Sequence, residues 1–191
     1  MKEKKPFVIC DIDNVINNLC ECFIQRYNYD FHTDYTVEDI NEYNITKCIP
    51  ISEDSLGFLY FHNPMFWKRV TTLCLDVDSS VFIKNLDEIS DLEFATASTY
   101  DMIVHKIEFM NKHFPMINEN RIMCVCEKEI LNCDILIDDC YTNFKGNNYK
   151  LGIIISQPWN RNINLNGTNI QRVETFAEVL KLVHQFKGVI Q

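Results

Sequence analysis

Two pairs of acids, more than a hundred residues apart, stand at the ends of short apolar runs. Asp11-Ile12-Asp13 follows Phe7-Val8-Ile9-Cys10, and Asp138-Asp139 follows Ile135-Leu136-Ile137. Each run has the length and β-branched content of a buried strand. In an open α/β sheet, ligands bind beyond the carboxyl ends of the strands. Carboxylates crowded there repel one another unless a cation lies among them, and oxygen-only ligands suit Mg²⁺. The chain is therefore expected to build a Mg²⁺ site from two strand ends.

The rest of the pattern alternates strand and helix. Strands are expected near 6–12, 92–95, 122–125, 135–137 and 151–155, and helices near 14–27, 81–86, 98–114 and 173–186. Ser98-Thr99-Tyr100-Asp101 and Thr36-Val37-Glu38-Asp39 read as helix starts, and Pro115 as a stop. Such alternation argues for an α/β fold with a parallel sheet covered on both faces. The stretch from about 28 to 63 breaks the alternation. It is acidic, holds no clean strand, and leads into the aromatic patch Phe58, Tyr60, Phe61, Phe66, Trp67. It reads as a helical lobe inserted after the first strand and helix. The expected division is a core of 1–19 and 87–191 with a cap of 20–86.

Composition limits the functional classes. A chain of 191 residues suffices for one domain with an inserted lobe. The net charge of −9 argues against a broad nucleic-acid face, because phosphate backbones are held by clustered Lys and Arg. A small phosphorylated substrate remains compatible, since one metal ion and one or two lysines neutralise it locally. The nine cysteines show two C-x-C pairs, Cys20/Cys22 and Cys124/Cys126, rather than the C-x-x-C of zinc or thiol redox sites. Cys10, Cys124 and Cys126 sit in apolar runs and read as buried thiols of a reducing compartment. The residues before Phe7 lead into too short an apolar run for a signal peptide, and no run approaches a membrane span. A cytoplasmic protein is expected.

Four pieces with phosphoryl-transfer chemistry occur in order: Asp11-x-Asp13, Thr96 after Phe94-Ala95, Lys106 in a helix, and Asp138-Asp139. One carboxylate can attack phosphorus and a second can exchange a proton with the leaving oxygen. A hydroxyl and an ammonium can hold the phosphate oxygens, and the acid pair can complete a metal site. A second acid triplet, Asp76-Val77-Asp78, also follows an apolar run and precedes Thr96. It would leave no room for a cap, so Asp11 and Asp13 are the preferred pair. A two-component receiver domain is disfavoured because there the acid pair comes first.

This ordered set resembles the haloacid dehalogenase superfamily. The segments Phe94-Ala95-Thr96-Ala97-Ser98, Lys106 to Phe114, Asp134-Ile135-Leu136-Ile137-Asp138-Asp139 and Gln157-Pro158-Trp159-Asn160 resemble the 5'(3')-deoxyribonucleotidases, the type C 5'-nucleotidases. The resemblance implies an α/β Rossmannoid fold with a small helical cap and a Mg²⁺-dependent phosphomonoesterase acting on nucleoside monophosphates. It implies Asp11 as nucleophile and Asp13 as acid/base, the latter also touching Mg²⁺ through its backbone carbonyl. Thr96 and Lys106 would hold phosphate, and Asp138 and Asp139 would ligate Mg²⁺. Three departures stand out: Asn14 where the family often has Gly, Ala97 where a second hydroxyl is common, and Cys140 where a polar residue is frequent.

In the cap, Phe66 and Trp67 are candidates to stack on a base, with core packing as the competing role. Arg161 is a weaker candidate for substrate contact. The rival readings are another small phosphoester as substrate, a nucleotide-binding protein without turnover, and a nucleic-acid 3'-phosphatase. The expected partner is a small nucleotide, with no long nucleic acid and no membrane. A homodimer is compatible with the sequence, which leaves the oligomeric state open.

Overall fold

A computed structural model describes residues 4–146 and 148–189. Residues 1–3, part of the lead before the first strand, lie outside the described residues. No helix among the described residues is long and apolar enough to cross a membrane.

Six parallel strands form one sheet: β1 (Phe7–Cys10), β2 (Asp91–Thr96), β3 (Ile122–Cys124), β4 (Ile135–Asp138), β5 (Leu151–Ile155) and β6 (Ile170–Val173). Their spatial order is β3-β2-β1-β4-β5-β6, so the direction of winding reverses between β1 and β4. That reversal opens a crevice at the carboxyl ends of these two strands, where α/β folds bind ligands. The central strands are buried on both faces, which is why they read as continuous Val/Ile runs.

Alternate residues feed two cores. Val8, Cys10, Phe94, Ile135, Ile137, Ile153 and Ile155 face the larger one, with Phe82, Phe109 and Phe176. These three come from helices α4 (Ser79–Ile89), α5 (Tyr100–His113) and α6 (Phe176–Val189). Ile9, Ala95, Leu136 and Ile154 face the other way, onto Phe144, Tyr149 and Leu131. This second face is covered by 3₁₀ turns, Lys128–Ile130 and Tyr141–Phe144, rather than by helices. The connections 125–134 and 139–150 are too short for a full crossover helix.

Strand β6 was not expected; the sequence reads 173–186 as helix throughout. Ile170-Gln171-Arg172-Val173 pairs with β5 alone, in register Gly152↔Ile170 to Ile155↔Val173, before α6 begins. Gly152 permits this: a Cβ there would lie 2.9 Å from both Ile170 Cγ1 and Phe144 Cδ1.

After β1 the chain turns at once instead of entering a helix. Asn14 has φ 56°, a left-handed conformation that Asn tolerates far better than most residues with a Cβ. This accounts for Asn where the resemblance leads one to expect Gly. Helix α1 (Leu19–Phe31) therefore starts later than the expected 14. It opens the inserted lobe, which also holds the short helices α2 (Glu53–Leu56) and α3 (Pro64–Trp67) with a wide π-type turn, Gly57–Phe61, between them. Rings fill its interior, with Tyr60 edge-on to Phe23 at 5.0 Å. The Thr36–Asp39 capping box is present.

The two chain segments joining lobe to core lie side by side. Asn18 N–H donates to Thr71 O at 3.1 Å, and Thr71 N–H donates to Asn18 Oδ1 at 2.8 Å. Helix α4, which the sequence assigned to the cap, packs on α6 instead, with Phe82 stacked on Phe176 at 4.2 Å. The lobe thus closes near residue 71 rather than 86. The sequence boundary missed this because α4 is a core helix whose partner, α6, lies at the far end of the chain.

All nine cysteines are free thiols. Cys10 is buried as expected, but Cys124 and Cys126 are exposed, because β3 is an edge strand and ends at Cys124.

The second acid triplet caps helices. Asp78 Oδ1 accepts from Ser80 N–H at the start of α4. Asp76 accepts from Phe176 N–H at 2.8 Å and Ala177 N–H at 3.2 Å, at the start of α6. Burial raises the Asp76 carboxyl, but these N–H donors outweigh it and hold the group below its ordinary range. The cap's contribution is therefore present above the unfolded carboxylate range and lost as pH falls through the lowered folded value. Asp76→Ala is expected to lower unfolding free energy by about 1 kcal/mol, or roughly 3 °C in Tm. Thermal unfolding near pH 7 checks this; an unchanged Tm would show that the cap is not formed.

Candidate active site

The register of β1 and β4 brings the two acid clusters together. Cys10 pairs with Ile137, and Asp11 N–H donates to Ile137 O at 2.9 Å. One residue further, Asp11 and Asp138 leave adjacent strands side by side, with Asp139 next in the chain. All three are buried, and each offers a carboxylate oxygen within 4.8 Å of the others. The strand ends thus put three carboxyl groups in a space shielded from water.

Among the described residues, one cation pairs with them. Lys128, from a 3₁₀ turn after β3, is buried, with Nζ 2.6 Å from Asp11 Oδ1 and 2.8 Å from Asp138 Oδ2. Asp138 also accepts from Cys140 N–H at 2.8 Å and from Asn143 Nδ2 at 3.0 Å. Asp139 Oδ2 has no hydrogen-bond partner among the described residues, and the Lys128 contact to Asp11 Oδ1 is an ion pair without hydrogen-bond alignment. Burial, reinforced by Asp138 and Asp13 and opposed by Lys128, pushes the Asp11 carboxyl up to about 7. Burial and the charges of Asp138 and Asp11 drive Asp139 well above the carboxylate range. Burial pulls the Lys128 ammonium down, but Asp11 and Asp138 more than reverse this and hold it protonated.

Three buried carboxylates, with Asp139 Oδ2 unpartnered among the described residues, fit a hard divalent cation, which takes oxygen ligands and removes the cost of their mutual repulsion. Asp13 does not join this group through its side chain. Its Oδ2 lies 2.5 Å from Lys106 Nζ, and its Oδ1 accepts from Asn17 Nδ2 at 2.9 Å. Asn17 is itself buried, and its Oδ1 accepts from the N–H groups of Asn14 and Leu19. The turn after β1 is thereby welded to Asp13.

Lys106 is placed differently from the expectation that it holds phosphate. It is buried, and its ammonium meets three protein acceptors: Asp13, Thr96 Oγ1 at 2.7 Å and Ala97 O at 2.8 Å. An ammonium has three protons to donate, so Lys106 is committed to orienting Asp13 and Thr96. Thr96 keeps its own hydroxyl proton. The lysine beside the candidate nucleophile is Lys128, which the sequence reading missed. Between Glu127 and Glu129 it looks like a solvated charge. Its one signal is its place at the start of the segment that leads into β4.

The loop after β5 closes the back of the site. Asn160 Nδ2 donates to Asp139 O and Ile155 O, both at 2.8 Å, and Gln157 Nε2 donates to Asn14 O at 2.9 Å. Arg161 reaches away from the site, to Glu38 of the lobe at 2.8 Å.

An open cavity of about 450 Å³ lies between this floor and the lobe, reaching Asp13 and Lys106 below and Tyr43, Phe61 and Trp159 above. Phe66 and Trp67 do not line it. Both are buried in the lobe's packing, where Phe66 is edge-on to Tyr60 and Trp67 Nε1 donates to Phe61 O at 2.7 Å. They turn inward because they are the largest apolar groups available to a small lobe. Tyr43, which the sequence reading passed over, lines the cavity. Burial of its phenol and the charges of Asp139, Asp11 and Asp138 raise that group above its ordinary range.

Removing Lys128 leaves buried carboxylates uncompensated. Lys128→Met is expected to lower the stability of metal-free protein by about 3 kcal/mol, and a saturating divalent cation is expected to recover part of the loss. Urea unfolding in EDTA and in MgCl₂ measures both; equal stability of variant and parent in EDTA contradicts the ion-pair assignment.

Comparison with known proteins gives the family and the fold. The model of the family described as 5' nucleotidase, deoxy (pyrimidine), cytosolic type C protein matches residues 5–188. A 5'(3')-deoxyribonucleotidase of Clostridium acetobutylicum is 25% identical over 146 residues, spanning 75% of this chain and 79% of that protein. Among solved structures, a HAD family hydrolase from Deinococcus radiodurans R1, with bound phosphate and sodium, superposes with TM-score 0.56 at 11% identity, over 97% of each chain. A haloacid dehalogenase-like hydrolase from Xanthomonas campestris gives 0.55 at 12% identity, over 98% of each. At such identities the structures establish the fold alone. Family match, fold and site together place the chain among the type C 5'-nucleotidases, phosphoric monoester hydrolases of the haloacid dehalogenase superfamily.

Proposed function

We propose that the chain is a Mg²⁺-dependent 5'(3')-deoxyribonucleotidase that hydrolyses nucleoside monophosphates through an aspartyl-phosphate on Asp11. The observation that supports this reading is the convergence of Asp11, Asp138 and Asp139 in one buried cluster, two residues from Asp13, which lines a cavity of about 450 Å³. Mg²⁺ held by these residues, with the Asp13 carbonyl, supplies charge neutralisation between nucleophile and phosphate.

The remaining steps belong to the chain's own groups. A carboxylate oxygen of Asp11 attacks phosphorus, and the ester P–O bond breaks. The departing nucleoside oxygen takes the proton of the Asp13 carboxyl, which Lys106 and Asn17 hold in place. Water then attacks phosphorus, Asp13 takes its proton, and the bond to Asp11 breaks to release phosphate. Lys128 and the hydroxyl of Thr96 would donate to the phosphate oxygens as charge shifts among them. The acidic chain, at net −9, favours a mononucleotide over a polynucleotide. Nine free thiols support a reducing, cytoplasmic setting.

Purified protein with MgCl₂ is expected to release phosphate from deoxyribonucleoside monophosphates faster than from sugar phosphates or 3'-phosphorylated oligonucleotides, and to stop in EDTA. Asp11→Asn is expected to lose roughly 10⁴-fold or more, while the helix-capping Asp76→Asn stays near the parent. Equal turnover in EDTA, or an active Asp11→Asn variant, defeats the proposal.

A further inference from the structure

Three of the nine thiols are exposed, Cys74, Cys124 and Cys126, and the last two form a C-x-C pair. Both donate to one acceptor: Cys124 Sγ meets Ser98 O at 3.3 Å, and Cys126 Sγ meets it at 4.0 Å. Strand residues two positions apart point to the same face, with Cα atoms about 6.6 Å apart. A disulfide spans Cα separations of about 4.4–6.8 Å. The chain bends at Cys126, which shortens the span further. The segment that carries these thiols touches both sides of the phosphate machinery. Cys124 pairs with Thr96 in the register of β2 and β3, and Val125 N–H donates to Thr96 O at 3.0 Å. Two residues beyond Cys126 stands Lys128, on Asp11 and Asp138.

We propose that Cys124 and Cys126 are a modification site, closed to a disulfide by a hydroperoxide, and that closure displaces Thr96 and Lys128 from phosphate. The effect on phosphate rests on the functional reading above. One thiolate attacks the peroxide O–O bond, giving a sulfenic acid and releasing water or an alcohol. The second thiol attacks that sulfur, the S–S bond forms and a second water leaves. Two electrons pass from the sulfurs to the peroxide. The disulfide has no S–H, so Ser98 O loses both donors. Drawing Cys126 toward Cys124 shortens the link between Thr96 and Lys128. Thr96 Oγ1 and Ala97 O, the residues before Ser98, also hold Lys106, so a shift there reaches Asp13. The remaining six thiols are buried or half-buried, which leaves this pair open to the oxidant.

Hydrogen peroxide on the full, reduced chain in MgCl₂ tests this. Mass spectrometry is expected to show the loss of two hydrogens confined to the peptide 122–128, which Arg121 and Lys128 let trypsin release. Calorimetric affinity for inorganic phosphate is expected to fall about tenfold, the scale of one hydrogen bond to a charged group. The kcat/KM for deoxyribonucleoside monophosphates is expected to fall with it, and dithiothreitol to restore both. Cys124→Ser and Cys126→Ser are expected to match the reduced parent and to keep that activity after peroxide. Cys74→Ser is expected to respond as the parent does. A disulfide between two chains, sulfinic acid without a disulfide, or an intrachain disulfide with unchanged phosphate affinity overturns the inference. Phosphate affinity that responds to peroxide, with no turnover of any nucleotide, overturns the nucleotidase reading and leaves the thiol pair standing. Reduced protein that binds no phosphate overturns both.

Discussion

Electrostatic repulsion among Asp11, Asp138 and Asp139 is the constraint around which this molecule is organised. Parallel pairing of β1 and β4 gives these acids no way to separate, since the register that buries Val8, Cys10, Ile135 and Ile137 also sets the carboxylates side by side. Burial of unpaired charge is costly, and a pair of carboxylates without a cation would shift to the protonated form. Lys128 offsets part of the charge, and the raised Asp11 and Asp139 carboxyls register the part that is left. The residual imbalance is what makes the site receptive to a divalent cation. The same strain that costs stability supplies the affinity for the ion.

Around this centre the polar network divides the labour between two lysines. Lys128 belongs to the nucleophile and the metal acids; Lys106 belongs to Asp13, Thr96 and the backbone at Ala97. Asn17 joins Asp13 to the left-handed turn at Asn14, and Gln157 ties that turn to the loop after β5. The acid/base candidate is thus fixed by elements from β1, α5 and the lobe's entry segment. The lobe rests on the core through the paired segments at Asn18 and Thr71 and through Arg161–Glu38. Its own stability comes from rings turned inward, which removes Phe66 and Trp67 from the cavity and leaves Tyr43 and Phe61 among the lobe residues that line it.

Where the sequence was read correctly, the signal was local. β1, β2, β4 and β5 are short runs whose neighbours in sequence announce their ends, and Asp11, Asp138 and Asp139 follow from standing just past such ends. Where the reading went astray, the deciding partner was distant. Lys128 looks solvated until β1 and β4 arrive beside it. α4 looks like part of the lobe until α6 packs on it. Cys124 looks buried until β3 proves to be the edge of the sheet.

The sequence alone determined the strand-helix alternation, the insertion, and which acids stand at strand ends, because each depends on a pattern carried within a few residues. Tertiary structure alone decided that three of those acids share one volume, which lysine faces the nucleophile, and which lobe side chains meet the cavity. Charge neutralisation and burial are properties of space rather than of chain order. An ammonium is a ligand, a prop or a solvated tip according to what the fold brings within 3 Å of it.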